Sequence, residues 1–193
     1  MARTKEFDVD QALDRAVETF WLHGYDGTSM QMLLDAMQIG RQSLYDTFGG
    51  KRELFVAALE RYDRSVGEHV LAPLRASGGG LDAIRGHFAN AIERMTAERP
   101  CRACLVVNAT MELAAQDPDI ALALGRSLDQ LRAAFGDAVA TGQAAGDISD
   151  RHSSDTWARF LTDVGLGLTV SAKAGATPEQ LRATVDVALA AIT

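Results

Sequence analysis

The chain has 193 residues, 47% of them hydrophobic and 23% charged, with a formal net charge of −7. This composition excludes the disordered and collagen-like classes, and the acidic balance argues against a generic polyanion binder, whose phosphate contacts would show as a basic excess. Residues 1–64 hold eight Lys/Arg against eleven Asp/Glu, so any nucleic-acid surface there rests on a small local patch.

The length permits a sizeable core, as one large domain or a small one joined to a larger one. No apolar run approaches the roughly 18 to 20 residues that cross a bilayer, and MARTKEFDVD lacks the apolar core of a secretory signal. A cytoplasmic protein is expected. The only cysteines, Cys101 and Cys104, provide no disulfide framework.

Apolar positions recur at helical spacing almost everywhere, which predicts an all-α fold of about nine helices. The first runs from about Asp8, a plausible N-cap, to His23, with Val9, Ala12, Leu13, Ala16, Val17 and Phe20 on one face and Gly24 as its stop. Thr28 is expected to cap a short second helix in a capping box with Gln31, burying Met30, Leu33, Leu34 and Met37. A third helix follows Gly40 and ends near Phe48, before Gly49 and Gly50. A fourth spans about 51–74, up to the ASGGG break at 76–80. Later breaks at 98–100, 116–119, 142–150 and 175–178 delimit about five more helices. The last opens with Thr177 as cap, Pro178 and a capping box with Gln180, and carries the stripe Leu181, Val185, Ala188, Leu189, Ile192.

Two short helices separated by MQIG have the size of a helix-turn-helix, whose second helix enters the major groove. Leu44 and Phe48 face the first of them, while Gln42, Ser43 and Asp46 point away, flanked by Arg41, Tyr45 and Thr47. Gln42 suits an adenine edge, Arg41 a guanine or a phosphate, Ser43 and Thr47 a base or methyl. Thr28, Ser29 and Lys51 lie at helix starts, where free N–H groups favour phosphate. Spacing alone equally allows a mere packing unit, with Tyr45 half-buried, Arg41 and Lys51 on a solvated rim and Thr28 only a cap.

The ordered series from Phe20 to Tyr62 resembles the DNA-binding domain of the TetR family of transcriptional regulators. The matches are Phe20, Gly24, Tyr25, Thr28, Ser29, Ile39, Gly40, Ser43, Leu44, Tyr45, Phe48, Lys51, Leu54 and Phe55. The resemblance implies a homodimeric repressor that binds a palindromic operator on double-stranded DNA and is released by a small-molecule effector. It implies a DNA-binding domain over 1–52 and an effector-binding and dimerisation domain over 53–193. It also implies phosphate contacts at Thr28, Tyr45 and Lys51, and base contacts at Arg41, Gln42, Ser43 and Thr47. Asp46 departs from a plain reading surface, since an outward carboxylate repels phosphate or selects a cytosine amino group. The arm ARTK is short.

Beyond Tyr62 only the helical pattern is shared with the family. Met95, Cys104, Leu105, Met111, Phe135, Trp157 and Phe160, with polar Asn108 and Glu112, could line a mostly apolar effector pocket or could be core. Cys101 and Cys104 lie at a predicted helix start, where packing, redox or electrophile sensing, and metal binding stay open. The four histidines are scattered, and no metal site or cofactor is expected. A thiol-disulfide enzyme would need a βαβ pattern, and no phosphate loop, H-E-x-x-H or nucleophile elbow occurs, so an enzyme is not expected. Gly165, Gly167, Ser171, Ala172 and Gly175 permit close helix approach; with the apolar last helix they make a four-helix dimer interface or an internal packing face.

Overall fold

The computed structural model describes residues 7–76, 78–97 and 104–193, and no strand occurs among them. The helices are α1 (Val9–His23), α2 (Met30–Met37), α3 (Arg41–Phe48), α4 (Lys51–Val66), α5 (Ala72–Arg75), α6 (Gly80–Thr96), α7 (Leu105–Leu113), α8 (Pro118–Ala145), α9 (Ser154–Lys173) and α10 (Pro178–Ile192). A π-helical segment, Gly67–Leu71, joins α4 to α5. Pro73 has no N–H to return to the carbonyl four residues back, so the α-helical ladder cannot run through this point. With α4, the π segment and α5 counted as one bent rod, the described residues form nine helices.

Local chemistry sets most helix ends. Asp8 caps α1 by accepting from the Gln11 N–H, and Gly24 ends it at φ +73°. Thr177 and Gln180 form the reciprocal capping box of α10. The cap of α2 differs from the sequence expectation: Ser29, not Thr28, accepts from the Met32 N–H. Thr28 instead donates its hydroxyl to the Gly24 carbonyl, and Gln31 binds Asp35 rather than closing a capping box. Because α2 begins at Met30, Ser29 and not Thr28 holds the N-cap position from which a side-chain oxygen reaches the free N–H groups.

Two apolar cores result. The first gathers Ala16, Phe20, Leu33, Leu44, Leu54 and Phe55 from α1–α4, and the same cluster takes in Leu105, Ala109 and Leu113 of α7 with Ile120 and Leu124 of α8. Phe20 and Phe55 meet edge to face at 4.9 Å. The second core joins α6, α8, α9 and α10 around Phe88, Phe135, Trp157, Leu161 and Ile192. Burying each such side chain stabilises the fold by roughly 1.5–3 kcal/mol. The helix-turn-helix therefore shares its core with α7 and the start of α8.

The apolar stripe of α10 turns inward: Leu181, Val185, Ala188, Leu189 and Ile192 are buried within the single chain. What α9 and α10 leave outside is a second surface, with Val187 73%, Val170 57% and Phe160 36% exposed, beside exposed Gly167, Ser171, Ala183, Ala190 and Ala191.

Candidate nucleic-acid interface and effector cavity

The turn between α2 and α3 is short because Gln38 takes a left-handed conformation, φ 57°, and returns its N–H to the Leu34 carbonyl. Gly40 then opens α3 with no side-chain cap, leaving the first N–H groups of α3 unpaired by any cap. Leu44 is fully buried and fixes the rotation of α3, so Arg41, Gln42, Tyr45 and Asp46 are exposed and Ser43 and Thr47 half-buried. The Gln42 side-chain amide donates to Asp46 Oδ1 at 2.7 Å. Gly49, at φ +89°, ends the helix and delivers the chain to Lys51 at the start of α4.

Lys51 Nζ sits 4.3 Å from the centre of the Tyr25 ring, a cation–π contact that holds the ammonium at the head of α4. The Tyr25 ring is fixed in turn against Phe55 at 5.0 Å and Phe20 at 6.1 Å. Its hydroxyl pKa is raised, by burial first and the Asp26 charge next. Thr28 has no exposed surface, and its hydroxyl is held by the Gly24 carbonyl. It shapes the turn that carries Ser29.

Two sets of contacts from α7 and α8 grip this unit. Glu112 of α7 accepts from the backbone N–H of Tyr25 at 2.7 Å and of Asp26 at 3.3 Å. Arg52 forks onto Asp117, with Nε at 2.6 Å and Nη2 at 2.9 Å, and Nη2 also reaches Asp119 at 3.0 Å. Asp117 caps α8 as well, accepting from the N–H of Asp119 and Ile120. The Arg52 fork, followed by these N–H donors, holds its carboxyl down at about pKa 2.

Above the reading unit lies a cavity of ≈ 1470 Å³ bounded by α1, α4, α6, α7, α8 and α9. Phe88, Met95, Val106, Leu128, Leu131 and Leu168 supply apolar wall, and Tyr62, Asp63, His87, Arg94, Cys104 and Ser127 supply polar atoms. His87 lies edge-on to Phe88 and Phe135; burial lowers its pKa to about 4, so it is neutral at pH 7. Tyr62 donates to Cys104 Sγ at 3.7 Å, and burial pushes its pKa well up. Ser127 donates to Asp63 at 2.5 Å, tying α8 to α4.

Of the residues expected in the pocket, Met95 and Cys104 line this cavity. The others lie outside its lining. Leu105 and Phe135 are fully packed in the two cores, Phe135 behind His87 and Phe88, which stand between it and the void. Trp157 is core and donates to the Ser149 carbonyl, with Phe160 stacked edge-on outside it. Met111 is 82% exposed. Asn108 accepts from Lys173 at 2.8 Å, and Glu112 faces the helix-turn-helix. Cys101 lies outside the described residues, as does the ARTK arm, while Cys104 is the N-cap residue of α7. Among the described residues no group of three or more His, Cys, Asp and Glu is placed to hold a metal ion. Nor does any helix have the length and apolarity to cross a membrane.

Sequence reasoning missed Tyr25, Arg52, Asp117 and Glu112 as the residues that join the halves. Only Gly24 gave a signal: a glycine just past α1 marks the tight turn, at φ +73°, whose following N–H groups Glu112 takes.

A helix-turn-helix joined to a larger helical domain is the architecture of a DNA-binding regulator. Residues 12–58 match the family described as bacterial regulatory proteins, tetR family, and residues 80–189 match the tetracyclin repressor-like C-terminal domain. The chain is 36% identical over 193 residues to the uncharacterized HTH-type transcriptional regulator YezE of Bacillus subtilis, covering 100% of both. It is 31% identical to the HTH-type transcriptional repressor ComR of Escherichia coli, over 93% of this chain and 86% of that protein. A cysteine mutant of the TetR family regulator CifR, complexed with 26-base-pair operator DNA, superimposes with a TM-score of 0.87 at 31% identity, covering 100% of both chains. The chain belongs to the TetR family: it is a DNA-binding transcriptional regulator and not an enzyme.

Proposed function

We propose that the chain is a homodimeric repressor that binds a palindromic operator and is released by a small organic effector. Residues 1–52 form the reading domain and residues 53–193 the effector-binding and dimerisation domain, linked through α4. Ser29, Tyr45 and Lys51 meet phosphates; Arg41, Gln42, Ser43 and Thr47 face base edges. Thr28 acts only by shaping the turn.

The observation that carries this reading is the course of α7. It starts at Cys104 in the cavity wall and ends, past Glu112, on the backbone of the helix-turn-helix. A ligand that binds better when α7 is displaced must by linkage weaken the arrangement that fits the operator. The mostly apolar wall with neutral His87, Tyr62 and cationic Arg94 suits an apolar molecule bearing a polar end. The outer face of α9 and α10, with Val170 and Val187 exposed among small residues, suits a four-helix contact across a two-fold axis. ComR and CifR, a named repressor and a regulator bound to operator DNA, support the same reading. The cytoplasm is the compartment in which such a protein meets DNA.

The test is selection of bound duplexes from a random pool with the full-length protein. A repressor of this kind enriches one palindrome with half-sites spaced for a dimer. Recovery of no palindrome overturns the proposal.

A further inference from the structure

The carboxylate on the reading helix has a defined neighbour. Asp46 and Gln42 stand one turn apart on the outer face of α3, both exposed, and the Gln42 amide nitrogen donates to Asp46 Oδ1 at 2.7 Å. We propose that Asp46 is a positioning residue that sets the base preference of Gln42 by fixing the orientation of its carboxamide. This rests on Gln42 being a base-reading residue.

The chemistry is that of an acceptor-only partner. A carboxamide carries a carbonyl oxygen and two N–H donors, and its ends can exchange by rotation. An ionised carboxylate accepts only, so it admits the nitrogen end of Gln42 and rejects the oxygen end. When Asp46 takes the N–H anti to the carbonyl, Oε1 and the remaining N–H stay together on one edge. That donor–acceptor pair complements N6 and N7 of adenine in the major groove.

A carboxylate facing DNA also weakens attraction to every phosphate nearby, whatever the sequence. Asp46 thus lowers sequence-independent binding while sharpening one base position. On this account the acidic residue on the reading helix improves discrimination at the expense of affinity.

The experiment compares four full-length proteins by selection from random duplexes, followed by binding to the enriched operator and to a scrambled duplex: the natural chain, Gln42→Ala, Asp46→Asn and the double variant. Asp46→Asn keeps size and removes both the charge and the acceptor-only character. The expected result is that Gln42→Ala and Asp46→Asn relax preference at the same base pair of each half-site, by about tenfold. The double variant should then be no more relaxed there than Gln42→Ala alone. Asp46→Asn should also bind the scrambled duplex more tightly. Loss of preference at a different base pair in Asp46→Asn, additive with Gln42→Ala, overturns the proposal in favour of direct reading by Asp46. Unchanged preference in Asp46→Asn with altered preference in Gln42→Ala also overturns it. Unchanged preference in Gln42→Ala instead overturns the underlying assignment of Gln42.

Discussion

Glu112 holds the backbone of Tyr25 across 87 positions of sequence, accepting its N–H at 2.7 Å, while the Tyr25 ring carries the Lys51 ammonium on its face. One aromatic residue thus joins a helix of the cavity wall to the cation at the head of α4. The bond is to a backbone donor at a turn, so a shift of α7 moves the chain itself and not merely a side chain.

Removing the acceptor exposes the value of this contact. Glu112→Ala should lower unfolding free energy by about 1–3 kcal/mol, as for hydrogen bonds to a charged group, and Glu112→Gln by less, since a carbonyl oxygen remains. Urea denaturation checks this, and equal stability of Glu112→Ala and the natural protein would contradict it. Operator affinity should fall in the same order.

Gly24 permits the approach. At φ +73° an alanine is strained, and its methyl would collide with the Glu112 carboxylate. Gly24→Ala should cost about 1–3 kcal/mol for a positive-φ, extended-ψ backbone that essentially only glycine adopts, with a further loss from the displaced carboxylate. Combined with Glu112→Ala the total should be smaller than the sum, because the three atoms nearest the added methyl all belong to the Glu112 carboxylate. Strict additivity in the double-mutant cycle would refute the contact.

Acid should destabilise the protein through His87. Burial lowers its pKa to about 4 against about 6.5 in an unfolded chain. The native state therefore binds fewer protons than the unfolded one between these values. Stability is fully present above about pH 6.5 and is lost as pH falls through about 4, by about 3 kcal/mol in all. His87→Leu should flatten that part of the stability profile; an unchanged slope would show that His87 does not carry it.

A second acid window belongs to Asp117, held at about pKa 2 by the Arg52 fork. Its depressed pKa means that the contribution is present above the ordinary carboxylate range and disappears as pH falls through about 2. Asp117→Asn should lower the melting temperature at pH 7, and the difference from the natural protein should shrink steadily below pH 4. Asp119→Asn, at a residue with an 88% exposed side chain, should have the smaller effect at every pH.

Binding experiments should separate the two kinds of contact. Tyr45→Phe and Lys51→Ala should weaken binding to all operators alike, with Lys51→Ala reducing the salt slope by about one. Gln42→Ala should change which sequences are preferred. If all three relax sequence preference equally, the division into phosphate and base contacts fails.

The sequence made the helices legible because their determinants are local. Asp8, Gly24, Thr177, Pro178 and Gln180 act within one turn of the ends they set, and the 3.6-residue repeat of apolar positions needs no partner to be seen. It also exposed the reading helix, since Leu44 buries one side and leaves Gln42, Tyr45 and Asp46 on the other. The cap of α2 falls on Ser29 rather than Thr28 for a reason equally local: the two are adjacent capping residues, and the helix begins one residue later than the sequence suggests.

The cavity was not legible in the same way. Met95 and Cys104 line it, but Leu105 and Phe135 carry the same apolar chemistry and are core, and Met111 is exposed. Periodicity says which residues share a helix face; it does not say whether that face meets another helix, a void or water. That depends on how α6, α7, α8 and α9 are set against one another.

By itself, then, the sequence determined an all-α chain, the ends of most helices and the outward chemistry of α3, because each follows from contacts within a few residues. The tertiary structure decided that Glu112 and Asp117 grip Tyr25 and Arg52, that the stripe of α10 turns inward, and which side chains enclose the cavity. Each of those joins positions tens of residues apart, where only the packing of whole helices sets what meets what.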